Sequence, residues 1–365
     1  MIPIESPAHG IQVIRTDPRS WFDGVVWVDS DPCRLDVCNN RAFGPERTDM
    51  GDIVRSQRRV RLGVLALAAA AVTTLLTGSP ASAQSSSDGI GCPRWDVVTI
   101  ASGYGMLENL AFDGRGSMLL SDSSMTAPGA VRTLDPSGAR GTLADPVNGP
   151  GGLAVAGDDV YFTTGNSAVS GLLHIADGTV DVVNLVSRER RTVAGGLVMP
   201  NGLARLGNGD LLTTHNLGTP GLTRIPADRP GSPERVRSDL GTLDGVATDG
   251  DRVYLTTSFD PVSELKVLSA SDLRGPVRAI PLPGIGPLNV ADDLTVGPDG
   301  AVYLAYNVAG KVLRVDPVAG TSCEIASGLM LTSAVKFGAG PGWDSRALYA
   351  VGFDGAVRKL TPPVG

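Results

Sequence analysis

The sequence predicts an all-β fold, a six-bladed β-propeller with four-stranded blades, because a unit of short strands recurs about every 45 residues. One unit opens at the run from Met199 to Ala204, and five more can be aligned with it after residue 106. The second residues of successive units are 43, 50, 43, 48 and 40 positions apart. This is the period of a propeller blade rather than of a helical solenoid. The content of 47 Gly and 26 Pro in 365 residues also suits many strands and turns.

Each unit has the same order of elements. An inner strand is followed by a Gly, Asp or Asn turn such as Asp113-Gly114, then by an apolar strand rich in β-formers, and then by a third strand. In blade two the pattern predicts the third strand at residues 172–177. The last unit, residues 334–362, holds only three strands, so we expect residues 95–101 to supply its fourth strand and close the ring. The propeller is therefore predicted to span residues 94–365.

The part of the chain before the propeller predicts export. Residues 50–83 read as a signal peptide, with an arginine-rich start, a 15-residue apolar run and an A-x-A pattern that predicts cleavage between Ala83 and Gln84. An uncleaved anchor is the alternative, although the run is shorter than the ~20 residues of a membrane span. The Sec and twin-arginine routes both stay open. Since a signal peptide belongs at a start, we expect translation to begin near Met50, with residues 1–49 untranslated or disordered and residues 84–93 a linker.

Charge and cysteine content limit the partners and the compartment. Residues 1–83 are neutral by count, so the formal charge of −7 lies in the remainder, which has no basic stripe. This argues against nucleic acid as a partner. We expect the partner to be a small-molecule substrate. We also expect the protein to be a secreted monomer without a stable membrane anchor after cleavage. After cleavage, Cys92 and Cys323 remain, and an isolated pair in an exported protein indicates a disulfide. Lipid attachment at Cys92 is the weaker alternative, because residues 89–91 form a poor lipobox.

The second residue of each unit is expected to point into the central channel. These residues are Glu108, Gly151, Asn201, Asp244, Asp292 and Thr332. Asn-Gly and Asp-Gly are common turn dipeptides, which gives an alternative explanation, but Glu108 is no turn former. Three carboxylates about 6 Å apart repel by roughly 3 kcal/mol per pair at an effective dielectric near 20. A hard cation offsets this repulsion, and oxygen ligands favour Ca²⁺, with Mg²⁺, Zn²⁺ and Mn²⁺ left open. The predicted metal ligands are Glu108, Asn201, Asp244 and Asp292.

The ends of the second strands are expected to reach the same mouth. The predicted substrate-lining residues are Asp122, Asn166, Asn216, Ser258, Tyr306 and Asn307, together with Thr332. His215 also ends a second strand and is a candidate general base or substrate donor. The alternative is a loop histidine in contact with solvent. His174 is expected at the surface.

The order of Glu108, then the Pro-Asn-Gly-Leu-Ala run with Asn201, then Leu-Asp-Gly with Asp244 resembles the gluconolactonase and senescence-marker-protein (regucalcin) family of six-bladed propellers. The resemblance implies a divalent cation held by these three residues, and it implies that Asp244 is the general base of lactone hydrolysis. Two positions depart from the pattern: Gly151 stands where related hydrolases often have Asn, and Asp292 adds a carboxylate. Asn148 is a candidate to replace the missing amide.

The predicted function is a secreted, metal-dependent lactonase or esterase in which a cation polarises the carbonyl and Asp244 or His215 activates water. Neither a Gly-x-Ser-x-Gly elbow nor a phosphate-binding glycine loop occurs after residue 83, which argues against a serine hydrolase or a nucleotide enzyme. Two alternatives remain open. One is a metal-dependent lyase of the streptogramin-lyase type with a histidine base, and the other is a binding propeller without chemistry.

Overall fold

The computed structural model describes residues 91–124 and 128–364, which form a six-bladed β-propeller of four-stranded antiparallel blades. This confirms the predicted fold class. The expected extension, the signal peptide and its Ala83 and Gln84 cleavage site lie outside the described residues.

The strands follow one another blade by blade, and the first strand of the chain belongs to the last blade. Strand β1 is Asp96–Ala101. Blade one contains β2 Met106–Phe112, β3 Met118–Ser123, β4 Gly129–Leu134 and β5 Arg140–Val147. Blade two contains β6 Leu153–Ala156, β7 Asp159–Thr164, β8 Gly178–Asn184 and β9 Arg190–Leu197. Blade three contains β10 Pro200–Arg205, β11 Leu211–His215, β12 Gly221–Ile225 and β13 Glu234–Arg237.

The second half of the ring repeats this order. Blade four contains β14 Leu243–Asp249, β15 Arg252–Thr257, β16 Val262–Ser269 and β17 Arg278–Ile285. Blade five contains β18 Ala291–Val296, β19 Val302–Tyr306, β20 Lys311–Asp316 and β21 Thr321–Ser327. Blade six contains β22 Thr332–Phe337, β23 Leu348–Gly352 and β24 Val357–Thr361, and β1 pairs antiparallel with β24 as its outer strand.

The segment before β1 runs along the outer strand of blade five before it joins blade six. The backbone N–H of Trp95 donates to the carbonyl of Ile325 at 2.9 Å. Cys92 is bonded to Cys323 in β21. The bond therefore ties the chain entering blade six to blade five, across a sequence separation of 231 residues.

The hydrophobic core is divided among the interfaces between neighbouring blades. Six clusters of buried side chains each draw on two adjacent blades. For example, Leu212 and Leu222 of blade three pack with Leu243 and Leu255 of blade four, and all four are completely buried. Alternate residues of each pleated strand point to opposite faces, so each blade buries both faces against its neighbours.

One strand prediction was wrong. Residues 172–177 do not form the third strand of blade two; that strand is β8, and the preceding loop contains a short helix, α1, Ala168–Leu172. The hydroxyl of Ser167 caps this helix by accepting the backbone N–H of Ser170 at 3.1 Å. In β8, Val180 and Val182 are two residues apart, so they point to the same face of the strand, and both are buried. The apolar residues of 172–177 are exposed, so their hydropathy alone did not indicate a buried strand.

A second short helix, α2, Gly286–Asn289, connects blades four and five. Among residues 91–124 and 128–364, no helix is long and apolar enough to cross a membrane.

Candidate active site

The inner strands share an irregularity where the predicted site residues occur. The pairing of each inner strand with the second strand shifts register between Leu107 and Leu110, Pro200 and Leu203, Leu243 and Val246, and Ala291 and Leu294. These bulges contain Glu108, Asn201, Asp244 and Asp292. A β-bulge redirects side chains and interrupts pairing, which is why bulges are frequent beside functional sites. The four residues therefore leave the regular ladder at equivalent positions.

Hydroxyl groups from the second strands fix the backbone of these bulges across blade boundaries. Thr163 of blade two donates to the carbonyl of Asn201 in blade three at 2.9 Å. Thr214 donates in the same way to the carbonyl of Asp244, and Thr256 donates to that of Asp292 at 2.6 Å. Each hydroxyl thus sets the position of a site residue relative to the neighbouring blade.

Each site carboxylate also receives an amide N–H from the end of a second strand. The side-chain amide of Asn166 donates to Oε1 of Glu108 at 2.8 Å. The amide of Asn216 donates to Oδ2 of Asp244 at 3.2 Å, and that of Asn307 donates to Oδ2 of Asp292 at 2.9 Å. The sequence reading placed all six residues at the channel mouth, and the structure brings them together in pairs.

Asp244 has the most asymmetric environment of the group. Its Oδ2 accepts from both Asn216 and the hydroxyl of Ser258, which also lies 3.0 Å from the carbonyl of Ala291. Its Oδ1 is buried and accepts no hydrogen bond from any described residue. An unpaired buried carboxylate oxygen is costly, so Oδ1 is the atom poised to bind a proton, a water or a cation.

The pKa values show that the carboxyl groups interact. Burial, reinforced by the negative charge of Asp244, raises the pKa of Glu108 to about 8. Burial also raises the pKa of Asp244 to about 6, against the opposing hydrogen bonds from Ser258 and Asn216. The pKa of Asp292 is raised well above its usual value by burial and then by the charges of Asp244 and Glu108. The groups therefore share one electrostatic environment.

A neighbouring cluster was missed by the sequence reading. Asp293 accepts from the amide of Asn109 at 2.7 Å and from the ammonium of Lys336 at 3.1 Å. Asn109 and Asp293 are the residues that follow Glu108 and Asp292, and Lys336 lies in the inner strand of blade six. The signal available was Lys336, the one charged residue in the inner strand of blade six. This ion pair brings a positive charge next to the ring of acids.

Three residues predicted to line the mouth have structural roles instead. Asp122 accepts the backbone N–H of Gly105 at 2.8 Å and pairs with Arg132 at 3.3 Å within blade one. Tyr306 is 1% exposed and donates to the carbonyl of Pro283, within the core between blades four and five. The hydroxyl of Thr332 is fully buried and donates to the carbonyl of Leu329, closing a turn.

His215 does not fit the predicted role of general base. Its Nδ1 lies 2.7 Å from the carbonyl of Val198, and its Nε2 lies 2.9 Å from the hydroxyl of Thr223. Burial lowers the pKa of His215 to about 4, so the ring is neutral. Since both nitrogens are engaged, none is free to accept a proton from water. The imidazole holds the turn before β10 in place. His174, predicted at the surface, is exposed.

Blade two supplies its amide from a different element than expected. A Cβ on Gly151 would lie 2.5 Å from the hydroxyl oxygen of Thr163 and 3.1 Å from the side-chain nitrogen of Asn166. The space left by the glycine is thus bordered by Asn166, which reaches Glu108. Asn148, proposed as the substitute, is exposed and contributes only its backbone carbonyl to Gly165. Asn166 therefore borders the position that an inner-strand amide would occupy.

Several oxygen atoms near Asp244 are available to a cation. Besides Oδ1 of Asp244, the amide oxygens of Asn166 and Asn216 are buried without a hydrogen-bond partner in the described chain. No three His, Cys, Asp or Glu side chains of residues 91–124 and 128–364 are grouped so that they could hold a metal ion. An ion here would therefore need amide oxygens as well as carboxylates. Mixed carboxylate, amide and water ligands suit a hard cation such as Ca²⁺.

By its fold and its site residues, the chain is a six-bladed β-propeller with acidic and amide side chains at one mouth of the channel. No protein-family model matches the sequence, and no curated protein matches it. Among solved structures, the chain is similar to a gluconolactonase from Xanthomonas campestris, with a TM-score of 0.59, 16% identity, and coverage of 74% of this chain and 90% of that one.

A lyase and one chain of a protein complex have the same fold. Virginiamycin B lyase from Staphylococcus aureus aligns with a TM-score of 0.51 and 14% identity, covering 73% of this chain and 99% of that one. A histidine-to-alanine variant of that lyase is catalytically inactive. A chain of a nidogen/laminin complex aligns with a TM-score of 0.50 and 16% identity, covering 65% of this chain and 85% of that one. At these identities the similarity establishes the fold alone.

Proposed function

We propose that this protein is an exported, metal-dependent hydrolase of lactones or related esters, with its active site at the channel mouth. The observation that carries the proposal is the environment of Asp244, whose carboxylate is held on one oxygen and left unpaired on the other. The gluconolactonase and lyase among the structural neighbours support a hydrolase or lyase of the propeller type.

Glu108, Asn201 and Asp244 are the residues that would hold the cation, and Asp244 would contribute its charge, so that its Oδ1 stays available for the proton transfer. The side chain of Asn201 is 5% exposed, and its amide oxygen is a ligand of the kind that a hard cation takes. The free amide oxygens of Asn166 and Asn216 add donors. The carboxyl group of Asp292, which accepts from Asn307, lies beside this set. When bound, the cation polarises the substrate carbonyl and offsets the repulsion among the carboxylates.

The proton transfers fall to Asp244. Burial raises the pKa of Asp244 to about 6 in the cation-free chain, which leaves its carboxylate ionised at neutral pH. Oδ1 takes a proton from water as the water oxygen bonds to the carbonyl carbon. The carbon–oxygen bond of the ester then breaks, and the leaving oxygen takes the proton back. Ser258 and Asn216 act as positioning residues, since they hold Oδ2 and so orient Oδ1.

Export is part of the proposal. The disulfide between Cys92 and Cys323 supports an oxidising compartment, because such bonds are rare in the cytosol. The arginine-rich, apolar segment that ends at Ala83 supports the same conclusion.

The test is turnover of sugar, alkyl and acyl lactones by the wild type and by Asp244→Asn, each with and without a chelator. We expect Asp244→Asn and chelation each to lower kcat by at least about a thousandfold, because the substitution removes the base and chelation removes the cation that polarises the carbonyl. Asp228→Asn, whose side chain is 81% exposed, is the matched control and should keep wild-type turnover. Equal activity of Asp244→Asn and the wild type would overturn the proposal.

Product mass separates the hydrolase from the lyase, because hydrolysis adds a water and elimination does not. The engaged nitrogens of His215 argue against a histidine base at this position. A protein that turns over no compound of the panel, yet unfolds at lower temperature after chelation, would instead be a binding propeller pinned by its cation.

A further inference from the structure

Exposed apolar side chains are concentrated at the end of the propeller that carries the site. In an antiparallel four-stranded blade, the loops after the second strand and after the fourth strand lie at the same end, where the inner strands begin. Eleven of the seventeen exposed large apolar residues in the described chain lie at this end, and only two, Val186 and Val318, lie on loops of the other end. Since scattered exposure would not favour one end, the asymmetry requires an explanation.

Six of these residues form a continuous series over blades four to six, here called the apolar arc. The apolar arc consists of Phe259, Ile285, Leu288, Val308, Met330 and Leu331, which are between 38% and 64% exposed. Backbone hydrogen bonds join their loops in order: Gly286 to Pro261 at 3.2 Å, Val308 to Asn289 at 3.1 Å, and Leu331 to Asn307 at 2.7 Å.

The apolar arc is continuous with the candidate active site. Phe259 directly follows Ser258, which donates to Asp244. Val308 directly follows Asn307, which donates to Asp292. The loops that place the polar groups at the mouth thus also place apolar surface beside it.

We infer that the apolar arc binds the alkyl or aryl tail of the substrate, and that the substrate is an uncharged, amphipathic lactone or ester rather than a sugar lactone. This inference rests on the proposed function and deepens it. The ester group would meet the polar mouth while the tail covers the arc. A polyol offers little apolar surface to cover these side chains. The six side chains of the apolar arc carry no charge, so they offer no partner to an ionic tail.

The test uses γ-lactones with one ring and a lengthening alkyl chain, with glucono-δ-lactone as the polyol comparison, on the full chain. Binding is measured calorimetrically on the Asp244→Asn background, and kcat/KM is measured on the wild-type background. We expect affinity and kcat/KM to rise with each methylene that reaches the arc, by up to about fourfold, equivalent to about 0.8 kcal/mol. The double variant Phe259→Ser/Leu288→Ser should flatten this dependence.

Val186→Ser/Val318→Ser makes the same chemical change at the other end of the propeller and is the matched control, which should keep the wild-type slope. A slope of zero in the wild type, or an unchanged slope in the arc variant, would overturn the inference. So would an arc variant that loses only co-sedimentation with phosphatidylcholine vesicles, since the arc would then contact lipid. Turnover without chain dependence would leave the proposed function standing, whereas chain-dependent binding without any turnover would overturn the function and support the arc.

Discussion

The behaviour of Asp244 follows from opposing local effects on one carboxyl group. Burial favours its protonated form, while the hydrogen bonds from Ser258 and Asn216 favour the ionised form. Burial is the larger effect, and the pKa rises to about 6. Because both hydrogen bonds are made to Oδ2, they orient the carboxylate as well as lower its pKa. The same two neighbours therefore orient the proposed base and partly offset the rise in its pKa that burial causes.

Ser258→Ala tests this balance. Removing the hydroxyl takes away a hydrogen bond that lowers the pKa of Asp244, so the pKa should rise further. The base acts in its ionised form, so the acidic limb of the kcat/KM profile should move to higher pH. A hydrogen bond to a charged group is worth about 1.5 to 3 kcal/mol, so kcat at neutral pH should fall tenfold or more.

Ser263→Ala is the matched control for this variant. Ser263 is also fully buried, but its hydroxyl accepts from Asn289 and touches no site carboxylate. It should lose some stability and keep the wild-type pH profile. Identical profiles for Ser258→Ala and the wild type would show that Ser258 does not tune the base.

At this scale, the sequence predicted site positions better than roles. Repeat alignment found Glu108, Asn201, Asp244 and Asp292 because equivalent positions of a repeat face one axis. It assigned a lining role to Tyr306 and a basic role to His215, which share those positions but turn into the blades. Which way a side chain turns depends on partners from other segments, such as Val198 and Thr223 for His215. A single sequence does not reveal such partners.

At the scale of the elements, threonine hydroxyl groups of the second strands hydrogen-bond to the backbone of the inner-strand bulges. The hydroxyl of Thr256 accepts the backbone N–H of Gly245 at 2.9 Å and donates to the carbonyl of Asp292. It thus joins the bulge of blade four to that of blade five. The sequence predicted the inner strands and their turns, but it did not predict the bulges, because a register shift depends on the partner strand.

Thr256→Val tests the hydroxyl connection, and Thr257→Val is its matched control. Both side chains are fully buried, but the hydroxyl of Thr257 has no hydrogen-bond partner among the described residues. Thr256→Val should lower the free energy of unfolding by about 1 to 3 kcal/mol, because it leaves two backbone groups unpaired. Thr257→Val should be neutral or stabilising. Equal losses in denaturant unfolding would contradict the assigned connection.

At the scale of the whole propeller, ring closure depends on the two ends of the described chain meeting in blade six. β1 pairs with β24, and the disulfide holds the segment before β1 on blade five. The incomplete last repeat predicted that residues 95–101 supply its fourth strand, and the isolated cysteine pair indicated a disulfide. It did not predict helix α1 or the continuity of the apolar arc, which depend on loop conformations.

The double variant Cys92→Ser/Cys323→Ser should lower the free energy of unfolding by about 2 to 5 kcal/mol, because the bond closes a long loop in the unfolded chain. Denaturant unfolding measures this loss, and reduction of the wild type should reproduce it. At temperatures well below the unfolding midpoint, the variant should turn over substrate at the wild-type rate, because the disulfide lies at the outer strands and away from the channel mouth. A variant as stable as the oxidised wild type would contradict the proposed role of the bond.

The carboxyl groups of the mouth also set the response of the molecule to pH. Their raised pKa values mean that protonation favours the folded state when no cation is bound. This contribution is complete below the ordinary carboxyl pKa, and it is lost as the pH rises through about 6 for Asp244 and about 8 for Glu108. A cation needs the ionised groups, so its stabilising effect should grow over the same range.

Calorimetric titration of Ca²⁺ into the chelator-treated protein at neutral pH, in buffers of different ionisation enthalpy, tests the central claim most directly. We expect one ion per chain, bound with release of protons because Glu108 is largely protonated beforehand. Asp244→Asn should weaken this binding, and Glu108→Gln should weaken it and also reduce the proton release. Absence of binding by Ca²⁺, Mg²⁺, Mn²⁺ and Zn²⁺, or binding that neither substitution changes, would contradict a metal-assisted active site at the channel mouth.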